Sequence, residues 1–139
     1  MSKVAVVYWS GTGNTEAMAE AVADGIREKG GEAVILTAGE FDRSMIGDYD
    51  SIAFGCPSMG DEELEESEFA PMFESCEPDL AGKKIALFGS YGWGDGEWMR
   101  KWEKTCKKAG AVFACDFVIC NDAPDDDAVE KCRGLGKAL

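Results

Sequence analysis

Apolar residues in this chain fall into short unbroken runs, separated by longer stretches that repeat every three to four residues. The runs lie at residues 4–9, 33–36, 51–55, 85–89 and 112–120. Each is too short for a helix and is bounded by glycine or polar residues, so each predicts a strand. Over residues 14–29, Met18, Ala21, Val22, Gly25 and Ile26 recur at helical spacing with charges on the other face, and Gly30-Gly31 ends the stretch. Residues 68–77 place Phe69, Met72, Phe73 and Cys76 on one side; residues 97–109 place Trp98, Trp102 and Cys106 one turn apart; residues 126–138 form a closing helix. Residues 38–48 read as a short helix or a loop. Continuous apolar strands alternating with amphipathic helices predict an α/β chain whose parallel sheet is covered on both faces.

Ligands of such sheets collect beyond the carboxyl ends of the strands, where the strand order reverses. The loops there are unusual. The first is Ser10-Gly11-Thr12-Gly13-Asn14-Thr15, which leaves a strand and opens a helix. Its glycines let backbone N–H groups approach an anion, and the helix N-terminus adds positive potential. The hydroxyls of Ser10, Thr12 and Thr15 and the amide of Asn14 add donors. The loop has no Lys or Arg, so it suits a kept phosphomonoester better than a triphosphate undergoing transfer. A P-loop needs a Gly-Lys-Ser/Thr ending that is missing. The dinucleotide fingerprint fails at its third glycine, where Glu16 stands. An ordinary strand-to-helix turn remains the bland alternative. After the fourth strand, Ser90-Tyr91-Gly92-Trp93-Gly94-Asp95-Gly96 sets a Trp among glycines, which suits presentation to a flat ring.

Charge narrows the partners. The 139 residues carry 27 acidic and 14 basic side chains and no His, for a net charge of −13. Such a surface disfavours nucleic acid and anionic membranes and favours proteins with basic patches. None of the six cysteines forms Cys-x-x-Cys, and most are expected to fill the core; Cys56 is set apart by its place at a strand end. The chain enters its first strand without a signal-peptide pattern and has no run long enough to span a bilayer, so reduced cysteines and a cytoplasmic location are expected.

The Ser-Gly-Thr-Gly-Asn-Thr loop, the Met59-Gly60-Asp61-Glu62 turn and the Ser90-Tyr91-Gly92-Trp93-Gly94 loop together closely resemble the flavodoxin family. The likeness runs along essentially the whole chain, residues 1–139, read as one domain. It is to the short-chain type of anaerobes, because the fifth strand lacks a long insertion. The resemblance implies a flavodoxin-like three-layer sandwich with a five-stranded parallel sheet in the order 2-1-3-4-5. It implies one non-covalent FMN and low-potential one-electron transfer by a monomer between basic-patched redox proteins, the reductases and oxidoreductases that use ferredoxin or flavodoxin. By that resemblance Ser10, Gly11, Thr12, Gly13, Asn14 and Thr15 hold the phosphate. Trp93 stacks on the outer ring face and Met59 packs inside. Ser90, Tyr91 and Gly92 meet the pyrimidine end, Glu62 meets the ring N3–H, and Asn121 approaches from the last loop. Pro57 stands where some relatives have a phosphate-holding serine, with Ser58 as its substitute. The Gly60-Asp61 peptide is expected to flip on reduction, so that the Gly60 carbonyl accepts from flavin N5 and favours the neutral semiquinone. Glycine makes such a flip inexpensive. The acids after strands three to five are expected to make adding the second electron harder and to steer partners.

An FMN-dependent NAD(P)H quinone or azo reductase is the alternative, but the chain has no spare segment for a substrate pocket or nicotinamide surface. A response-regulator receiver needs an acidic pair after strand one and an Asp ending strand three; Trp9-Ser10 and Gly55-Cys56 stand there. A low-molecular-weight phosphatase needs Arg six residues after its Cys, where Cys56 is followed by Glu62.

Overall fold

The computed structural model describes residues 2–139. In chain order its elements are β1 (Lys3–Tyr8), α1 (Asn14–Glu28), β2 (Glu32–Thr37), β3 (Ser51–Gly55), α2 (Phe69–Cys76), β4 (Lys84–Tyr91), α3 (Glu97–Lys108), β5 (Val112–Phe113), β6 (Val118–Asn121) and α4 (Asp126–Ala138). The uncertain stretch after β2 forms two 3₁₀ helices, Ala38–Glu40 and Arg43–Asp48. All strand pairs are parallel, in the order β2-β1-β3-β4-β5, with β6 also on β4. The expected five sheet positions are therefore present.

The fifth position differs from the sequence reading of one strand over residues 112–120. Two short strands, β5 and β6, share that edge. Between the pairs Ile85↔Phe113 and Phe88↔Val118, β4 advances three residues while the edge advances five. Two surplus residues leave the ladder, so the run cannot stay one strand. β4 in turn is longer than expected and includes Ser90 and Tyr91, so the loop that carries Trp93 begins only at Gly92.

The strands bury alternate residues on opposite faces. Ala5, Val7, Ile52, Phe54, Ile85 and Leu87 pack beneath α2 and α3, against Phe69, Phe73, Trp98 and Trp102. Phe73 and Trp102 meet edge-on with ring centroids 5.5 Å apart. Val4, Val6, Ala53, Ala86 and Phe88 pack against α1 and α4. There the helix backbones nearly touch. A Cβ on Gly25 would lie 2.1 Å from the Arg133 carbonyl oxygen, and one on Gly136 would lie 2.1 Å from the Val22 carbonyl oxygen. This three-layer arrangement brings the loops after β1, β3, β4 and β6 to one end of the sheet.

Candidate functional site

The loop between β1 and α1 is braced by its own first residue. Ser10 Oγ accepts from the N–H of Gly13 at 3.1 Å and of Glu16 at 3.3 Å. Gly13, with φ of 95°, turns the chain into the helix. Among the described residues nothing accepts from the backbone N–H groups of Thr12, Asn14 or Thr15. Three unpartnered donors at the start of a fifteen-residue helix make an anion cradle. Thr15 is buried below, where its Oγ1 lies 3.2 Å from Ser90 Oγ, tying α1 to β4.

After β3 the chain makes a tight hairpin. Met59 and Glu63 exchange both N–H···O bonds at 2.8 Å around the three residues Gly60, Asp61 and Glu62. Gly60 has φ of 53° and Glu62 φ of 57°, a left-handed conformation that costs a residue with a side chain about 1–2 kcal/mol. The carboxylate of Glu62 supplies the restraint. It is 8 % exposed, lies against Gly94, and accepts from the Glu97 N–H at 3.2 Å through Oε1. It thereby caps α3 and locks the β3 hairpin to the β4 loop. Oε2 has no donor among the described residues.

Two large apolar side chains stand out on these loops: Trp93 is 60 % exposed and Met59 39 %. Tyr91 is half-buried and packs on Trp98, with ring centroids 5.6 Å apart. Asn121 donates its Nδ2 to the Tyr91 carbonyl at 3.1 Å, so its amide braces β6 on β4. The next residue, Asp122, with φ of 58°, lines the cleft instead.

A cleft of about 210 Å³ joins these loops. Of the residues expected from sequence, it brings together Gly11, Thr12, Asn14, Ser58, Met59, Ser90, Tyr91 and Gly92, with Trp9, Pro57 and Asp122 added. Ser10, Gly13, Thr15, Gly60, Asp61, Glu62, Trp93 and Asn121 lie on the same loops but outside its wall. Larger hollows of about 510 and 560 Å³ lie between α2 and α3 and at the amino ends of the strands, and neither touches the glycine-rich loop.

The acids that follow β3, β4 and β6 divide by role. Asp95 pairs with Arg100 at 3.0 Å and Asp127 with Lys131 at 3.0 Å, while Asp125 caps α4 through the Ala128 N–H. Asp61, Glu63, Glu66, Asp122 and Asp126 are exposed and have no ion pair among the described residues. Glu65, read from sequence as part of the surface field, is 5 % exposed. Its carboxylate accepts from the Ser67 hydroxyl and from the N–H groups of Ser67 at 2.8 Å, Glu68 at 2.7 Å and Phe69 at 2.9 Å. Burial alone would raise its pKa, but these bonds outweigh it and hold the carboxyl below the usual Glu value. A depressed folded pKa gives stability that is fully present above the unfolded value, about 4.3, and is lost as pH falls through the folded one. Glu65→Gln is therefore expected to cost about 1–2 kcal/mol at pH 7 and to lose less stability than the parent between pH 5 and pH 3. Equal acid losses in urea titrations at both pH values would contradict the role.

Cys56 also proves structural. It is fully buried, accepts from the Glu65 N–H at 3.4 Å, and burial pushes its thiol far above the ordinary value. Its carbonyl accepts from Trp98 Nε1 at 3.2 Å, tying α3 to the end of β3. Sequence reasoning named Glu62 for the ring but not for its cap on α3, and it missed Asp122 as a wall residue and the inward turn of Glu65. An Asn-Asp pair at a strand end was the one available signal for Asp122, since Asp tolerates positive φ. No helix among the described residues is long and apolar enough to cross a membrane.

Residues 6–136 match the family model described as flavodoxin. The chain is 45 % identical over 134 residues to a flavodoxin of Clostridium beijerinckii, covering 96 % of both. It resembles the solution structure of two-electron reduced Megasphaera elsdenii flavodoxin at 43 % identity, with a TM-score of 0.90 and coverage of 97 % and 96 %. Oxidised flavodoxin 1 of Bacillus cereus superposes with a TM-score of 0.86 at 29 % identity, covering 99 % of this chain and 96 % of that one.

Proposed function

The chain belongs to the flavodoxin family and is a low-potential electron carrier built on FMN rather than an enzyme, and we propose that it holds FMN across the loops after β1, β3, β4 and β6. One observation carries this reading: three unpartnered backbone donors, Thr12, Asn14 and Thr15, stand at a helix N-terminus beside a cleft flanked by exposed Met59 and Trp93. The residues fit the group. A phosphomonoester needs N–H and hydroxyl donors, and Ser10, Thr12, Asn14 and Thr15 offer both. A flat ring needs apolar faces, and Trp93 and Met59 offer them. The free Oε2 of Glu62 suits an imide N–H, and Ser90, Tyr91 and Gly92 line the same wall. Ser58, not Pro57, carries a donor on the β3 side.

FMN, when bound, supplies a ring that takes up two electrons one at a time. What this chain adds is position, exclusion of water and charge. The cleft is smaller than the roughly 300–1,000 Å³ of sites that engulf a drug-sized ligand, so a ring held here keeps an edge in solvent for partners. The exposed Asp61, Glu63, Glu66, Asp122 and Asp126 surround that edge. Their field makes each added negative charge more costly and draws basic redox proteins toward it. The chain then works as a cytoplasmic monomer that meets such proteins in turn.

Gly60 is the moving part. It heads the hairpin at φ of 53° with nothing within 4 Å of a built Cβ, so alanine there meets no collision and changes only the backbone's freedom. The Gly60 carbonyl is free to turn toward the ring and accept a hydrogen bond from a proton-bearing ring nitrogen, while Asp61 takes up the rotation. Gly60→Ala is expected to reduce the half-reduced fraction in a redox titration by raising the cost of that turn by about 1 kcal/mol. An unchanged fraction would remove Gly60 from the mechanism. The binding reading itself is tested by equilibrium competition of FMN with riboflavin, which lacks the phosphate: FMN should win by a wide margin.

A further inference from the structure

The glycine-rich loop has a second hollow on its other side. Trp9 and Gly11 belong to both walls, but this hollow, of about 330 Å³, faces β2 and is completed by Tyr8, Ser10, Gly13, Glu16, Thr37 and Glu68. Its lining contains two carboxylates and no Lys or Arg. Glu16 is held from two directions. Its N–H donates to Ser10 Oγ at 3.3 Å, while the Tyr8 hydroxyl donates to its Oε2 at 3.0 Å. The side chain is thus drawn away from the unpartnered N–H groups of the loop and fixed over the hollow. Glu68 reaches the hollow from the start of α2, with Oε2 3.3 Å from where a Cβ on Gly39 would stand. The Tyr8 phenol registers the local field: burial first, then the bond and charge of Glu16, then the charges of Glu20 and Glu40 push its pKa up.

From this geometry we infer that Glu16 and Glu68 are specificity-determining residues, which fence the loop so that it accepts a flavin phosphomonoester and rejects a diphosphate ester such as a flavin dinucleotide. The inference rests on the reading that the loop holds the FMN phosphate. The phosphate would be held by neutral donors only, so no cation is present to absorb further negative charge. A chain continuing beyond the phosphate must leave the loop on one of its two sides. The rest of the flavin takes the β3–β4 side. The β2 side presents two carboxylates, one of them locked by Tyr8. A second phosphate there meets like charge without compensation, which is selectivity by repulsion. The same residues leave a monoester little affected, because it ends before the hollow.

The test is competition on the FMN-loaded protein. The parent and the double variant Glu16→Gln/Glu68→Gln are equilibrated with graded FAD or riboflavin at low and high salt, and the bound flavin is released and quantified. Gln keeps the size of Glu and can still accept from Tyr8, so any gain comes from charge. FAD is expected to compete about tenfold better in the double variant at low salt, a change of about 1.4 kcal/mol. Raising the salt should improve FAD competition in the parent but not in the variant. Unchanged FAD competition, with FMN still far ahead of riboflavin in the parent, would overturn the fence and leave the loop reading intact. Riboflavin competing as well as FMN in the parent would overturn the loop reading itself, and the fence with it.

Discussion

Replacing Trp93 by Ala is expected to weaken FMN binding by about 1–3 kcal/mol, roughly 5- to 150-fold in affinity. Trp93 is 60 % exposed in a loop held open by Gly94 and Gly96, both at positive φ. It therefore adds little to the core, and the substitution removes a ring face without opening a cavity. The loop itself stays anchored, because Glu62 grips it from below through the Glu97 N–H. Thermal stability of the flavin-free protein should change by less than about 0.5 kcal/mol, as for an exposed side chain, so lost affinity reads as lost stacking. An affinity equal to the parent's in a fluorescence titration would show that the ring does not lie against Trp93.

A larger structural effect is expected at Gly25. In a free helix, Gly→Ala stabilises by up to about 1 kcal/mol. Here the new methyl would stand 2.1 Å from the Arg133 carbonyl oxygen and 2.8 Å from its carbon, backbone atoms of α4 that cannot swing aside. The helices must separate, and Gly25→Ala should lower unfolding free energy by about 1–3 kcal/mol, the cost of overpacking a filled interior. Gly136→Ala, which meets the Val22 carbonyl oxygen at 2.1 Å, should do the same from the other helix. The opposite sign of the two contributions makes urea denaturation decisive: a variant more stable than the parent would mean that α1 and α4 do not pack backbone to backbone.

Most of the fold was legible because burial repeats along the sequence. β3 and α4 have the predicted bounds, and Trp98 and Trp102 sit in the core as their spacing required. The break between β5 and β6 was not legible. Residues 112–120 are apolar almost throughout, and the two surplus residues exist only relative to the register of β4, which a single run of sequence does not contain. Charge misled in a similar way. Six acids between Asp61 and Glu68 look alike in sequence, but Glu62 and Glu65 turn inward because each finds unpaired N–H groups at a helix start. A carboxylate cap on α3 must come from a loop 35 residues away, so no local pattern announces it. The loop proposed to hold the phosphate was the most legible part of the proposed site, since its donors all lie within the six residues from Ser10 to Thr15. The wall residue Asp122 was the least, since its role depends on Asn121 spending its amide on Tyr91.

The central claim, that these loops hold one FMN and pass electrons singly, is tested most directly by titrating the purified, FMN-loaded protein with dithionite at neutral pH under visible spectroscopy. The account predicts two resolved steps, with long-wavelength absorption rising in the first and disappearing in the second. Bleaching in a single two-electron step, with no long-wavelength band at any point, would contradict it.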